Sequence, residues 1–156
     1  VQEKIAAHTA KITMEGDSGN IGTGALTQVT FDNLDYAVGC GTTITGGTRK
    51  VTINRDGKYS VKCQIAMNDT FDLGDRMSIY LYKNGSLIHG GSTYVPASSN
   101  QYVYGWLDSS FDLEVDDYLQ INIQHWNGEN ADIYNKHEDA SDRTAWDPFL
   151  IVEEIR

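Results

Sequence analysis

The chain has 156 residues, with 22 acidic against 12 basic side chains and a formal charge of −10; its pI is about 4.6. That length fills one hydrophobic core rather than two. The charge excludes a phosphate-tracking nucleic-acid surface and attachment to anionic lipid, both of which need Lys and Arg, and no apolar run approaches the roughly 20 residues of a spanning helix.

In chain order, the sequence opens at Val1 rather than Met, which reads as a trimmed product or a piece of something longer. KIAAHTA, residues 4–10, is the one helix candidate, with an edge strand as its alternative. The glycine-containing stretch EGDSGNIGTG, residues 15–24, lets the chain leave a folded body. Residues 1–20 are therefore read as an N-terminal arm or neck, and 21–156 as the domain. Two prolines against fifteen glycines, with many Thr, Tyr, Val and Ile, point to strands joined by glycine turns.

A strand is expected over Leu26–Phe31 and a short one over Arg49–Asn54, followed by a turn at Arg55-Asp56-Gly57. Strict alternation from Lys58 to Met67 places Tyr59, Val61, Cys63, Ile65 and Met67 on one face, and Lys58, Ser60, Lys62, Gln64 and Ala66 on the other. Asn84-Gly85 is the strongest hairpin signal, since both residues tolerate positive φ; it joins Met77–Tyr82 to Ser86–His89. Further strands are expected at Gln101–Phe111, Tyr118–Trp126 and Phe149–Ile155. The whole is an all-β, two-sheet antiparallel sandwich or barrel of about 8–10 strands.

Cys40 and Cys63 have no Cys-x-x-Cys spacing for zinc or redox chemistry. Cys63 falls on the apolar face of its strand and reads as a free core thiol, a single bridge to Cys40 being the alternative.

Several pieces stand in the order of a known family. Val29-Thr30-Phe31-Asp32-Asn33 is similar to its early strand, and Val51-Thr52-Ile53 followed by Asp56-Gly57-Lys58-Tyr59-Ser60-Val61 to its "phenylalanine-threonine, then proline-glycine-tyrosine-x-phenylalanine" segment. Tyr82-Lys83-Asn84-Gly85 matches its "lysine-asparagine-glycine" hairpin. Leu113–Leu119 matches its "leucine-x-x-glycine-aspartate-x-valine" turn, with Asp116 at the glycine position. Trp146–Ile151 matches its closing strand, with Pro148 at the glycine there. Over residues 26–155 the chain resembles the C1q/TNF-like jelly roll, the trimer-forming head of collagen-like and fibre proteins. The resemblance implies a non-enzymatic homotrimer acting as a structural or adhesive module. Its implied setting is a virion or extracellular surface, as a fibre head or a capsid decoration (cement) protein, with capsid or fibre proteins as partners.

The residues themselves carry a related expectation. Tyr80 and Tyr82 point away from the core set Met77/Ile79/Leu81; Tyr102, Tyr104 and Trp106 share one strand face; and Phe149-Leu150-Ile151-Val152 is apolar on both faces. Such surface asks for cover, so Tyr80, Tyr82, Tyr102, Tyr104, Trp106, Leu150 and Val152 are the expected oligomer interface. The alternative is the ordinary preference of tyrosine for strands.

For chemistry there is little. The nucleophile motif Gly-x-Ser-x-Gly is missing, and His8, His89, His125 and His137 are far apart without metal spacing. No catalytic residues and no cofactor are expected. Calcium is weighed at the acidic clusters Asp69/Asp72/Asp75 and Glu138/Asp139/Asp142, neither with EF-hand spacing and both reading as solvated loops. Trp126 with Asn127 and Glu129 is the candidate contact for a cell-surface glycan, the alternative being a ring packed on the sandwich rim. A carbohydrate-binding or receptor-binding β-sandwich is thus the second functional expectation.

Overall fold

A computed structural model describes residues 6–16, 20–45, 48–95, 101–134 and 148–156. Among them are twelve strands and no helix: β1 (Thr9–Thr13), β2 (Thr27–Gln28), β3 (Asn33–Val38), β4 (Gly41–Thr45), β5 (Thr48–Thr52), β6 (Gly57–Phe71), β7 (Arg76–Lys83), β8 (Ser86–Tyr94), β9 (Gln101–Leu113), β10 (Tyr118–Trp126), β11 (Asp132–Ile133) and β12 (Phe149–Glu154). They form two antiparallel six-stranded sheets. The first runs β11-β6-β12-β1-β3 with β9 on the other side of β6; the second runs β4-β5-β10-β7-β8 with β2 also on β10. This is the two-sheet antiparallel sandwich that the strand pattern predicts, with more strands than the expected 8–10, and the jelly-roll form that the resemblance implies.

The core lies between the sheets and is built by the period-2 alternation. Tyr59, Val61, Cys63, Ile65 and Met67 of β6 face Met77, Ile79 and Leu81 of β7 and Leu119, Ile121 and Ile123 of β10, all buried. The sheets approach closely at Gly105, where an added Cβ would sit 3.0 Å from Met77 Cε and press on the end of that side chain. The β7–β8 hairpin turns on Asn84 (φ 52°) and Gly85 (φ 81°), the left-handed pair that a primed turn demands. Asn84 also stitches the turn to β10: its Nδ2 donates to Asp117 Oδ1 at 2.6 Å and its Oδ1 accepts from Tyr118 N at 2.9 Å. Asp116 adopts φ 71°, which explains why a glycine suits that position in the resembled family.

Three expectations change. The arm expected over residues 1–20 does not extend through Thr9–Thr13, because β1 is an interior strand between β12 and β3. The apolar alternation Ala10, Ile12, Met14, all buried, wins over the helix propensity of the KIAAHTA segment. The strand expected over Leu26–Phe31 shrinks to Thr27–Gln28; Val29 and Phe31 are buried beyond the ladder. Strands β3 and β4 are additional. β3 is an edge strand whose Leu34, Tyr36 and Val38 alternate in sequence but are all exposed; it is bulged where the register shifts between Lys11 and Ile12, and such a bulge blunts an open edge.

Candidate functional site

The two outer faces of the sandwich differ in kind. On the second sheet, outward residues of β10, β7 and β8 form an amide- and hydroxyl-rich surface whose groups bond to one another. Tyr80 Oη donates to Gln124 Oε1 at 3.2 Å, Gln124 Nε2 donates to the Gly24 carbonyl at 2.7 Å, and Ser78 Oγ lies 2.6 Å from Ser92 Oγ. The Tyr80 ring lies over Gly90, where a Cβ would come within 2.8 Å of it. Tyr80 and Tyr82 are thus half-buried members of a self-contained polar face.

The outer face of the first sheet is apolar along one band. Register places Trp106 of β9 beside Gln64 of β6, Gln64 beside Phe149 of β12, and Phe149 beside Thr13 of β1. The next row runs Asp108, Lys62, Ile151, Lys11, Tyr36. Trp106 is 60% exposed, Tyr36 41% and Tyr104 39%, with Phe149 and Ile151 half-buried between them. Lys11 Nζ lies 2.8 Å from Asp35 Oδ2 and 5.8 Å from the Phe149 ring centroid.

The structure therefore divides the expected interface set. Tyr104 and Trp106 share the apolar face; Tyr80 and Tyr82 sit on the opposite sheet; the side chain of Tyr102 lies outside the described residues. Leu150 and Val152 are a correction. Both are completely buried in the subunit's own core, because Leu150 pairs with Cys63 and Val152 with Val61, whose side chains point inward. Their neighbours Phe149 and Ile151 face out instead. Tyr36 was missed because no strand was expected over Asn33–Val38.

At the far end of the second sheet, Trp126 carries the Arg76 guanidinium 3.9 Å from its ring centroid, and Arg76 reaches Tyr94 through a 3.3 Å hydrogen bond to the hydroxyl. One face of Trp126 is thus occupied by a cation. Asn127 Oδ1 accepts from Glu129 N at 2.9 Å, closing their own turn; Glu129 is exposed. Sequence reasoning overlooked Arg76 and Tyr94, which only strand pairing brings beside Trp126.

Of the acidic candidates, only Asp72 and Asp75 have described side chains. Asp75 Oδ2 accepts from Asp72 N at 2.7 Å and caps the β6–β7 turn; the Asp69 side chain and residues 138–142 lie outside the described residues. Among the described residues no group of three or more His, Cys, Asp or Glu could hold a metal ion. Cys40 and Cys63 are both free and buried. Burial, reinforced by the Glu154 charge, pushes the Cys40 thiol up to about 11, and burial alone pushes Cys63 upward; neither is a thiolate nucleophile. His125 is fully buried with Nε2 2.8 Å from the Ile21 carbonyl, which ties the 20–25 segment to β10. Among the described residues the strongly shifted acid is Glu154, held down at about 2 by Arg55, with the His8 amide and Arg156 adding to it. It ties the end of β12 to the residue before β1 and to the Arg55 turn before β6.

No protein-family model and no curated protein sequence matches this chain. Solved structures do. Murine APRIL is similar over 96% of this chain and 100% of its own, at 15% identity with TM-score 0.62 in a structure at pH 5.0, and at 14% with 0.64 in one at pH 8.0. Eiger TNF from S. frugiperda is similar over 96% of this chain and 93% of its own, at 14% identity and TM-score 0.58. The shared feature is the fold, a TNF-like jelly roll.

Proposed function

We propose that this chain is a non-enzymatic head module that assembles as a homotrimer through the outer face of the β6–β9 sheet. The supporting observation is the asymmetry of the two outer faces. Trp106, Tyr104 and Tyr36 are 39–60% exposed around Phe149 and Ile151 on one, whereas the centre of the other is a hydrogen-bonded polar set around Tyr80 and Gln124, with Leu87 and Tyr94 exposed only along β8. An exposed aromatic band on a soluble domain is an association surface, and the trimer-forming family that the motif order resembles uses the same fold. The module is structural or adhesive, working at a virion or extracellular surface as a fibre head or capsid decoration protein. The acidic surface keeps such a head soluble and away from phosphate-rich polymers. Sedimentation at micromolar concentration tests this. The expected species has three times the 17.3 kDa chain mass, and a single-chain species throughout refutes it.

One observation favours a second reading, in which the free sheet face contacts a neutral glycan. Between Arg76 and Lys83 the outward residues of β7 and its registered neighbours are Ser78, Tyr80, Tyr82, Gln120, Asn122 and Gln124. They are uncharged hydrogen-bonding groups, with Tyr94 exposed at the end. Glycan-array binding lost in Tyr94→Ala, with the assembly intact, is the expected result; no array signal for the wild type removes this reading.

A further inference from the structure

Arg76 is held in place without a counter-charge. Register sets it between Trp126 of β10 and Tyr94 of β8, all three on the outer face of the second sheet. Its guanidinium carbon lies 3.9 Å from the Trp126 ring centroid and 6.0 Å from that of Tyr94, and Nη1 donates to Tyr94 Oη at 3.3 Å. Two rings thus orient the head group. Arginine has five N–H donors in a planar fork; beyond that one bond, none has a protein partner among the described residues, and the unpartnered nitrogens are open to water. No carboxylate among the described residues pairs with it, although the chain carries 22 acidic side chains. Asp75, adjacent in sequence, turns its carboxylate onto the Asp72 amide at 2.7 Å. An oriented guanidinium with unused donors matches the two oxygens of a carboxylate.

We infer that this corner binds the carboxylate of an acidic sugar, a uronic or sialic acid at the end of a glycan. The inference rests on the glycan reading of the same sheet face and extends it from neutral sugars to one charged residue. The surroundings select a sugar over an acidic peptide. The row beside Arg76, about 7 Å along the strands, carries Gln124, Ser78 and Ser92, hydroxyl and amide groups that pair with ring hydroxyls. Tyr94, 56% exposed, supplies a ring against which the C–H face of a sugar packs. The charge of −10 repels a polyanion, whereas a single carboxylate on an otherwise neutral body meets the fork of Arg76 before it meets that field.

Oligosaccharides ending in glucuronate or in sialic acid, each beside its carboxyl-reduced form, test this because the members of a pair differ only at the charged group. The wild-type protein is expected to bind the acid of at least one pair about tenfold or more tightly than the reduced form, as charge-assisted hydrogen bonds require, and the preference should shrink as salt is raised. Arg76→Gln should bring that ratio to about one, and Arg76→Lys, which keeps the charge without the fork, should retain part of it. Equal binding of acid and reduced forms by the wild type, a preference that survives in Arg76→Gln, or a polyglutamate peptide bound as tightly as the acidic sugar overturns the inference and leaves the glycan reading. No binding of acidic or neutral sugars overturns the glycan reading itself.

Discussion

Trp106→Ala separates the two sheet faces as association surfaces. Trp106 is 60% exposed in the single copy, so most of its ring is open to a neighbouring copy. In an assembly the same ring becomes an aromatic anchor, whose loss costs about 2 kcal/mol per interface. A closed trimer has three equivalent interfaces, about 6 kcal/mol in all. The midpoint concentration for three chains joining varies as the square root of their dissociation constant. The shift is therefore worth about 3 kcal/mol, roughly 100-fold in concentration. Sedimentation across about 1–300 μM resolves a change of that size, and circular dichroism checks that the variant subunit still folds. Tyr80→Ala is the internal control: its ring lies over Gly90 and its hydroxyl bonds Gln124 on the other sheet, so assembly should be unchanged. A shift under about threefold for Trp106→Ala, or an equal shift for Tyr80→Ala, refutes the assignment of the interface to the β6–β9 sheet.

Three further outcomes test the fold that carries this face. Ile65→Ala empties a fully buried site on β6 opposite Gly105 and should destabilise the subunit by about 2–5 kcal/mol in urea melts; an unchanged midpoint would mean the strand faces outward there. Asn84→Ala forfeits the left-handed turn residue and the bonds to Asp117 and Tyr118, for a loss of about 2–3 kcal/mol, and Asn84→Gly should recover part of it by restoring the turn conformation alone. Glu154, held at about 2 against an ordinary 4.5, contributes stability that is complete above about pH 5 and is lost as pH falls towards 2. Glu154→Gln should therefore melt several degrees below wild type at pH 7, with the gap closing near pH 2.5; a gap that persists there would place its origin in packing.

The local parts of this architecture are legible from side-chain rhythm. The period-2 run of β6, the Asn84-Gly85 turn and the inward set Met77/Ile79/Leu81 all stand where alternation and turn chemistry put them, because these are properties of neighbouring residues on one strand. The outward placement of Tyr104 and Trp106 follows from the same rhythm. The family order of short motifs carries the sandwich class, which the TNF-like likeness bears out.

Facing is lost wherever both faces of a strand are apolar or neither is. In Phe149-Leu150-Ile151-Val152 either pair satisfies alternation. The choice comes from register against β6, where Leu150 meets Cys63 and Val152 meets Val61, leaving Phe149 and Ile151 outside. In β3 the alternation of Leu34, Tyr36 and Val38 does not give the facing, because the bulge sets Leu34 opposite buried Ile12 and Tyr36 opposite outward Lys11, and β1 hides behind helix-forming residues while its buried alternation is rewarded only between two partner strands. Gln64 reads as an ordinary outward polar residue until Trp106 and Phe149, 42 and 85 positions away, are paired on either side of it. Alternation is a local quantity that one strand carries alone; which strand lies next to which, and therefore what covers a side chain, is decided by long-range pairing between segments whose sequences do not encode each other's address.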